Sequence, residues 1–278
     1  MKRVVVGVDE SEASKTALRW AGSIALVERA ELIVLNAFQP GYAELSHDDA
    51  QRLIEERQAL LDGPWTDVID PCIKTRRVVR RGDPRSLISD LATAEEADLV
   101  VLGRTGSGGG PGFLHLGSVV EHYAHHCNNP LAVVPASAAP QVRRILVGVD
   151  GSDESLHAAT WSARLAQSTG ASVVAVAARD NHKASAPHTG ASPALGIEKR
   201  VASWASPLAA IGITVEVVGA PGTHPVDALF NAIADHNADL FVVGARGAGG
   251  VTGIRAGGLT LKALHEATVP LAMIPSIA

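Results

Sequence analysis

Two stretches of the chain carry the same landmarks 141 residues apart, and this spacing constrains the fold more than any other feature. Val6-Gly7-Val8-Asp9-Glu10-Ser11 returns as Val147-Gly148-Val149-Asp150-Gly151-Ser152. Trp20 returns as Trp161, Pro84 as Pro225, Ala97-Asp98-Leu99 as Ala238-Asp239-Leu240, and Gly103-x-x-Gly106 as Gly244-x-x-Gly247, all at the same offset. Pro130 returns as Pro270, at 140, so one residue has been gained or lost between the last two landmarks. A solenoid would repeat every ~20–50 residues. An offset held over this length means two copies of one domain, expected at 1–136 and 142–278. Between them, Ala136-Ser137-Ala138-Ala139-Pro140-Gln141 is small and proline-bearing, as a linker is.

Each copy alternates strand and helix patterns. In the first, the β-branched run Arg3–Val8 predicts a buried strand. Ser11 suits the N-cap of a helix carrying Ala13, Ala17, Trp20 and Ile24 on one face. Strands follow at Leu32–Ala37, Ile73–Val79, Leu99–Leu102 and Leu131–Val134, with helical stretches near 46–61, after Pro84, and over Gly117–His126. The second copy gives strands near 144–149, 172–177, 213–218, 240–243 and 271–274. The expected fold class is α/β: two tandem doubly wound domains, each with a five-stranded parallel sheet sandwiched by helices. In such sheets ligands bind beyond the carboxyl ends of the strands, where strand order reverses. The strand-to-loop exits are therefore where chemistry is sought.

Two exits stand out in each copy: Gly7-Val8-Asp9 (Gly148-Val149-Asp150) and the glycine-rich loop after the fourth strand. In the first copy that loop runs from Gly103 through Gly106 to Gly117-Ser118-Val119, leaving a strand and ending at a helix start. Glycines let backbone N–H groups approach an anion, and a helix N-terminus adds unpaired donors and a positive dipole end. One such loop reads equally well as a flexible connection, but its recurrence in a second strand-loop-helix setting favours a phosphate cradle. The cradle is not a Walker A loop, because Gly-x4-Gly-Lys-Ser/Thr is absent. Nor does Gly-x-Gly-x-x-Gly follow the first strand, as a dinucleotide fold requires.

These motifs resemble the universal stress protein family in its tandem, ATP-binding form, over essentially the whole chain. The family's domain start, Val-Gly-Val-Asp-Gly-Ser, stands at 147–152. Its ATP-binding members carry Gly-x2-Gly-x9-Gly-Ser/Thr after the fourth strand. The second copy has Gly244-x2-Gly247-x9-Gly257 but Gly258 in place of the hydroxyl residue; the first keeps Gly117-Ser118 but has one residue more between Gly106 and Gly117. The resemblance implies that Asp9 and Asp150 approach the ribose or a phosphate-bound metal, although both also suit helix capping. It implies that Ala37 and Ala178 lie beside adenine. It places phosphates on Gly103, Gly106, Gly117 and Ser118 in one copy and on Gly244, Gly247 and Gly257 in the other, with Thr260 partly replacing the lost hydroxyl. The expected cofactor is ATP with Mg, bound by a cytoplasmic regulator of stress response or growth state. A slow ATPase or phosphotransferase, an interaction protein with degenerate sites, and a cyclic AMP site are the alternatives. The resemblance further implies that the apolar fifth strands pair across a pseudo-twofold, and that chains associate into a homo-oligomer.

Composition removes other classes. The formal net charge is −5 and aromatics are 4%, against a nucleic-acid binder that needs a basic excess or stacking platforms. No window reaches the ~18 apolar residues of a membrane span. Cys72 and Cys127 are too few for a disulfide framework. Arg76-Arg77 and Arg80-Arg81 read as a charge-protected edge strand or an anion-binding patch. His122 and His126 share a helical face, as solvated residues or as metal ligands. Residues 179–195, rich in Ala, Ser, His, Pro and Gly, read as a mobile loop.

Overall fold

A computed structural model describes residues 1–39, 46–107, 116–126, 128–178, 208–218, 224–247 and 256–275. The expected loop at 179–195, Cys127 and most of each glycine-rich loop lie outside these residues. The chain divides into two compact units, Met1–Gln141 and Val142–Ala278.

In the first unit the order is β1 (Arg3–Gly7), α1 (Glu12–Glu28), β2 (Glu31–Phe38), α2 (His47–Asp62), β3 (Thr75–Arg81), α3 (Pro84–Ala94), β4 (Leu99–Gly103), α4 (Ser118–His126) and β5 (Leu131–Val134). All its strands are parallel, in the spatial order β3-β2-β1-β4-β5. The second unit has β6 (Arg144–Gly148), α5 (Asp153–Thr169), β7 (Ser172–Ala178), β8 (Thr214–Val218), α6 (Pro225–Asp235), β9 (Leu240–Gly244), α7 (Gly258–Glu266) and β10 (Leu271–Ile274). Its strands are parallel too, in the corresponding order β8-β7-β6-β9-β10.

Local chemistry explains these elements. Val4, Val5 and Val6 are fully buried, as the central strand of a sheet covered on both faces demands. Ser11 and Ser152 accept from the N–H groups of Ser14 and Ser155, capping α1 and α5. Asp83 caps α3, and Pro84 and Pro225 open α3 and α6, where a missing N–H costs nothing. β3 starts at Thr75, two residues later than the apolar pattern suggests, because the N–H of Ile73 is already turned onto the Asp70 carbonyl. At the end of its unit's strand order, β3 carries Arg76 against Glu95 at 2.6 Å, while Arg80 and Arg81 are exposed.

The crossover from β1 leads to one side along the sheet and the crossover from β3 back to the other. Right-handed connections therefore place α1 and α3 on opposite faces. β1 lies between β2 and β4, so the strand order reverses between β1 and β4, and in the second unit between β6 and β9. The exits of these strands flank one crevice in each unit.

Trp20 is fully buried in α1, whereas Trp161, at the matching place in α5, is partly exposed. Trp20→Ala should therefore cost about 3–5 kcal/mol, the range for emptying a large aromatic site, and Trp161→Ala about half of that or less. Urea denaturation of the two variants measures both.

Candidate functional site

The crevice of the first unit is organised by Asp9, just past β1. Its Oδ1 accepts from the Ser11 N–H at 3.0 Å and the Ser11 hydroxyl at 2.6 Å. Its Oδ2 accepts from the Ser107 N–H at 2.8 Å, across the reversal of strand order. The Asp9 N–H donates to Ser14 Oγ at 2.8 Å. One carboxylate thus joins the β1 exit, the start of α1 and the loop leaving β4. A Cβ on Gly106 would stand 2.9 Å from Asp9 Oδ2, and one on Gly103 would stand 2.8 Å from the backbone of Ala13 and Ser14. Real Cβ atoms do not approach this closely, so glycine at both positions lets the loop lie against the β1 exit. On the far side, the Gly117 N–H donates to the Arg104 carbonyl at 2.8 Å, and the Gly117 carbonyl accepts the first helical bond, from Glu121. Ser118 is the first residue of α4 and is exposed; Val119 follows it, partly buried. The leading N–H groups of a helix have no partner within it, so this terminus faces the crevice as an anion donor set. Burial lowers the pKa of Arg104, yet a guanidinium stays charged at neutral pH.

The second unit repeats the construction. Asp150 Oδ1 accepts from the Ser152 N–H at 3.0 Å and hydroxyl at 2.6 Å. A Cβ on Gly247 would meet Asp150 Oδ2 at 2.6 Å, and one on Gly244 would meet Glu154 at 2.9 Å. The Gly257 N–H donates to the Ala245 carbonyl at 2.8 Å, matching Gly117 and Arg104. Gly258 opens α7 where Ser118 opens α4, and a Cβ there would meet nothing within 4 Å.

Several expected site residues also hold the frame. Thr260 is buried, and its hydroxyl donates to the Gly244 carbonyl at 3.0 Å, so it ties α7 to the end of β9 and does not replace the hydroxyl lost at Gly258. Gly7 gives room to Leu102, whose Cδ2 would lie 2.7 Å from a Cβ there; Gly148 has only ordinary contacts with Val243 and Phe241. Val8 and Val149 are buried, and their N–H groups continue the pairing with β2 and β7. Ala37 and Ala178, half-buried, stand at the carboxyl ends of β2 and β7, level with the two crevices.

Sequence reasoning missed Asn36 and Arg57. Asn36 is buried in β2, and its Nδ2 donates to the Val8 carbonyl at 2.8 Å, fixing the chain as it turns toward Asp9. Arg57 of α2 donates to Asn36 Oδ1 at 3.3 Å and lies over the Phe38 ring at 4.7 Å. A lone amide in an apolar strand was the available signal. The second unit has Ala177 at that place. It also missed the Glu154–Arg246 ion pair, at 2.7 Å, beside the second crevice. The His122 and His126 rings stack 4.2 Å apart, and among the described residues no group of three metal-binding side chains occurs. Among the same residues, no helix is long and apolar enough to cross a membrane.

The model of the universal stress protein family matches residues 1–135 and again residues 141–275. A universal stress protein of Mycobacterium tuberculosis is 27% identical, across 96% of this chain and 94% of its own. Another from Mycolicibacterium smegmatis is 25% identical, across 98% and 96%. Among solved structures, a universal stress protein of Archaeoglobus fulgidus superimposes with a TM-score of 0.71 and 20% identity, covering 98% of both chains, and shares the fold.

Two outcomes follow from this geometry. Asp9→Ala removes the acceptor of a charge-assisted bond at Ser107, so the Ser107 amide should exchange with solvent at least about tenfold faster, at about 1–3 kcal/mol of stability. Amide exchange by NMR or mass spectrometry reads this directly. Burial, then the neighbouring His126 and Arg85, hold the His122 pKa below its usual value. The folded protein therefore resists the proton that the unfolded chain accepts. This contribution to stability is complete above the ordinary histidine pKa of about 6.5 and is lost as pH falls from there through the lower folded value. His122→Gln should flatten that part of the curve of stability against pH.

Proposed function

Because the chain belongs to the universal stress protein family, with two family domains in tandem, we propose that it binds one adenine nucleotide per unit, ATP with Mg, and acts as a regulator through its occupied state. The observation that carries this reading is the same anion cradle built twice. In each unit a glycine pair lies against an aspartate-braced strand exit and faces the start of a helix. Phosphate oxygens would take the unpaired N–H groups at the starts of α4 and α7, with the Ser118 hydroxyl donating in the first unit. Adenine would lie toward Ala37 and Ala178.

The residues fit a phosphate-bound Mg. Asp9 has three donors on two oxygens and retains acceptor capacity, since a carboxylate offers about four lone-pair sites. A bound Mg would neutralise phosphate charge. Asp9 and Asp150 would sit on that side, holding the cradle to the β1 and β6 exits while the helix N-termini orient the phosphates.

Binding is favoured over turnover. Phosphoryl transfer needs cationic clamps and a group that positions the nucleophile. The described cradle residues include no lysine, and Arg104 and Arg246 occupy different places in their loops. The reading extends, on the family resemblance, to a cytoplasmic protein that self-associates, and whose nucleotide state alters a contact with a partner or another copy.

Saturating MgATP should raise the melting temperature, equivalent to roughly 2.7 kcal/mol per site at a hundred times the Kd. Gly117→Glu and Gly257→Glu each bring a carboxylate to one cradle and should each remove one binding step in calorimetry, with the first unit the tighter. Gly258→Ser adds a hydroxyl in open space, and one hydrogen bond to a charged group is worth about 1.5–3 kcal/mol, so the second site should tighten about tenfold or more. Gly258→Ala should not tighten it. An unchanged melting temperature, with no nucleotide released on denaturing the purified protein, refutes the reading.

A further inference from the structure

Two histidines of α4 share one face of the helix. His122 and His126 are four residues apart, which sets their Cβ atoms about 5–6 Å from each other. Their rings stack with centroids 4.2 Å apart and planes inclined by 19°. His126 Nδ1 lies 2.8 Å from the His122 carbonyl oxygen. A carbonyl only accepts, so Nδ1 carries the hydrogen, and in the neutral ring Nε2 keeps a free lone pair. The backbone thus fixes both the tautomer and the orientation of this imidazole. Histidines that ligate metals are held in the same way, by a hydrogen bond from the other ring nitrogen to a carbonyl or carboxylate. His126 is exposed and His122 half-buried, so solvent ions reach the pair.

The surrounding groups leave these nitrogens available. Among the described residues, neither His126 Nε2 nor either ring nitrogen of His122 has a hydrogen-bond partner. Asp83 and Arg85, at the start of the neighbouring α3, both act on the charge of His122, but they pair with each other at 2.9 Å. The His125 ring stands edge-on to His126 with centroids 6.4 Å apart. No third metal-binding side chain completes the set among the described residues, so water would fill the other coordination positions.

We infer that His122 and His126 form a two-imidazole site for a divalent transition metal of the Ni2+, Cu2+ or Zn2+ class. A metal ~2.0–2.1 Å from each nitrogen holds the two nitrogens roughly 3 Å apart. Rings that already face each other at 4.2 Å reach this by rotation about χ2, a soft torsion in histidine. Imidazole suits these metals, whereas hard Mg2+ prefers oxygen ligands. The site is therefore distinct from the phosphate-bound Mg proposed at the crevice, and it does not rest on nucleotide binding. α4 has only nine residues and opens at Ser118, one turn before His122. A metal joining His122 to His126 staples this short helix and stabilises the folded chain by mass action.

The test is calorimetry of the full chain, freed of metals with EDTA and titrated with nickel chloride alone. The unaltered protein should show a saturable binding step. His122→Gln and His126→Gln should each weaken that step at least about tenfold, because the second imidazole binds as an intramolecular ligand. His125→Gln, on the same helix, should leave it unchanged. Saturating Ni2+ should raise the melting temperature of the unaltered and His125→Gln chains and not of the other two. One equivalent of Cu2+ on the unaltered chain should give an electron paramagnetic resonance signal coupled to two imidazole nitrogens, a measurement that needs no variant to fold. If all three variants bind Ni2+ like the unaltered protein, surface histidines hold an adventitious ion only and the inference falls. It falls too if His125→Gln costs as much as the others, if no saturable step occurs, or if copper couples to a single nitrogen.

Discussion

Each candidate site depends on a carboxylate placed where the order of parallel strands reverses. In the first unit Asp9 joins two segments that are nearly a hundred residues apart in the chain, holding Ser11 on one oxygen and the Ser107 amide on the other. A hydrogen bond to an ionised acceptor is about twice as strong as a neutral one. Here it fixes the near wall of a loop whose glycines would otherwise leave it free to move. The bare approach of Gly103 and Gly106 to the β1 exit is the steric half of the same device.

Duplication lets the two units serve as controls for each other. The bonds from Gly117 to Arg104 and from Gly257 to Ala245 both measure 2.8 Å, although arginine and alanine differ in every side-chain property. Backbone geometry is therefore maintained where side chains have diverged. The two units differ around their crevices at Ser118 against Gly258, Ala13 against Glu154, and Asn36 against Ala177. Both units keep the same strand order despite these differences. The position of Thr260 makes the same point from the inside. Val120 occupies it in the first unit, buried, and Thr260 satisfies its added hydroxyl on the Gly244 carbonyl.

Membership of the universal stress protein family gives this chain a fold and a family name, and leaves the chemistry of each crevice to its own residues. The physical distinction between binding and turnover lies in what the cations and carboxylates already do. Asp9 braces the loop leaving β4, and Arg246 is held by Glu154.

The sequence alone determined the duplicated architecture, because a conserved offset between Gly7 and Gly148 or Pro84 and Pro225 needs no coordinates to be seen. It also determined strand and helix type, since valine runs and helical spacing act through local propensity and burial. It located the two loop exits from the glycine pattern. Tertiary structure decided which of the residues there hold the frame together. Thr260 turned inward, Gly7 made room for Leu102, and Asp9 took a partner from a distant loop. Asn36 left only a lone amide in an apolar strand, and Arg57 and the Glu154–Arg246 pair left no periodic trace, because each acts through a contact between separate elements. Periodicity records which face of an element is buried. It carries no information about which buried or half-buried polar groups find each other across a crevice, and that pairing is settled only when the chain has closed.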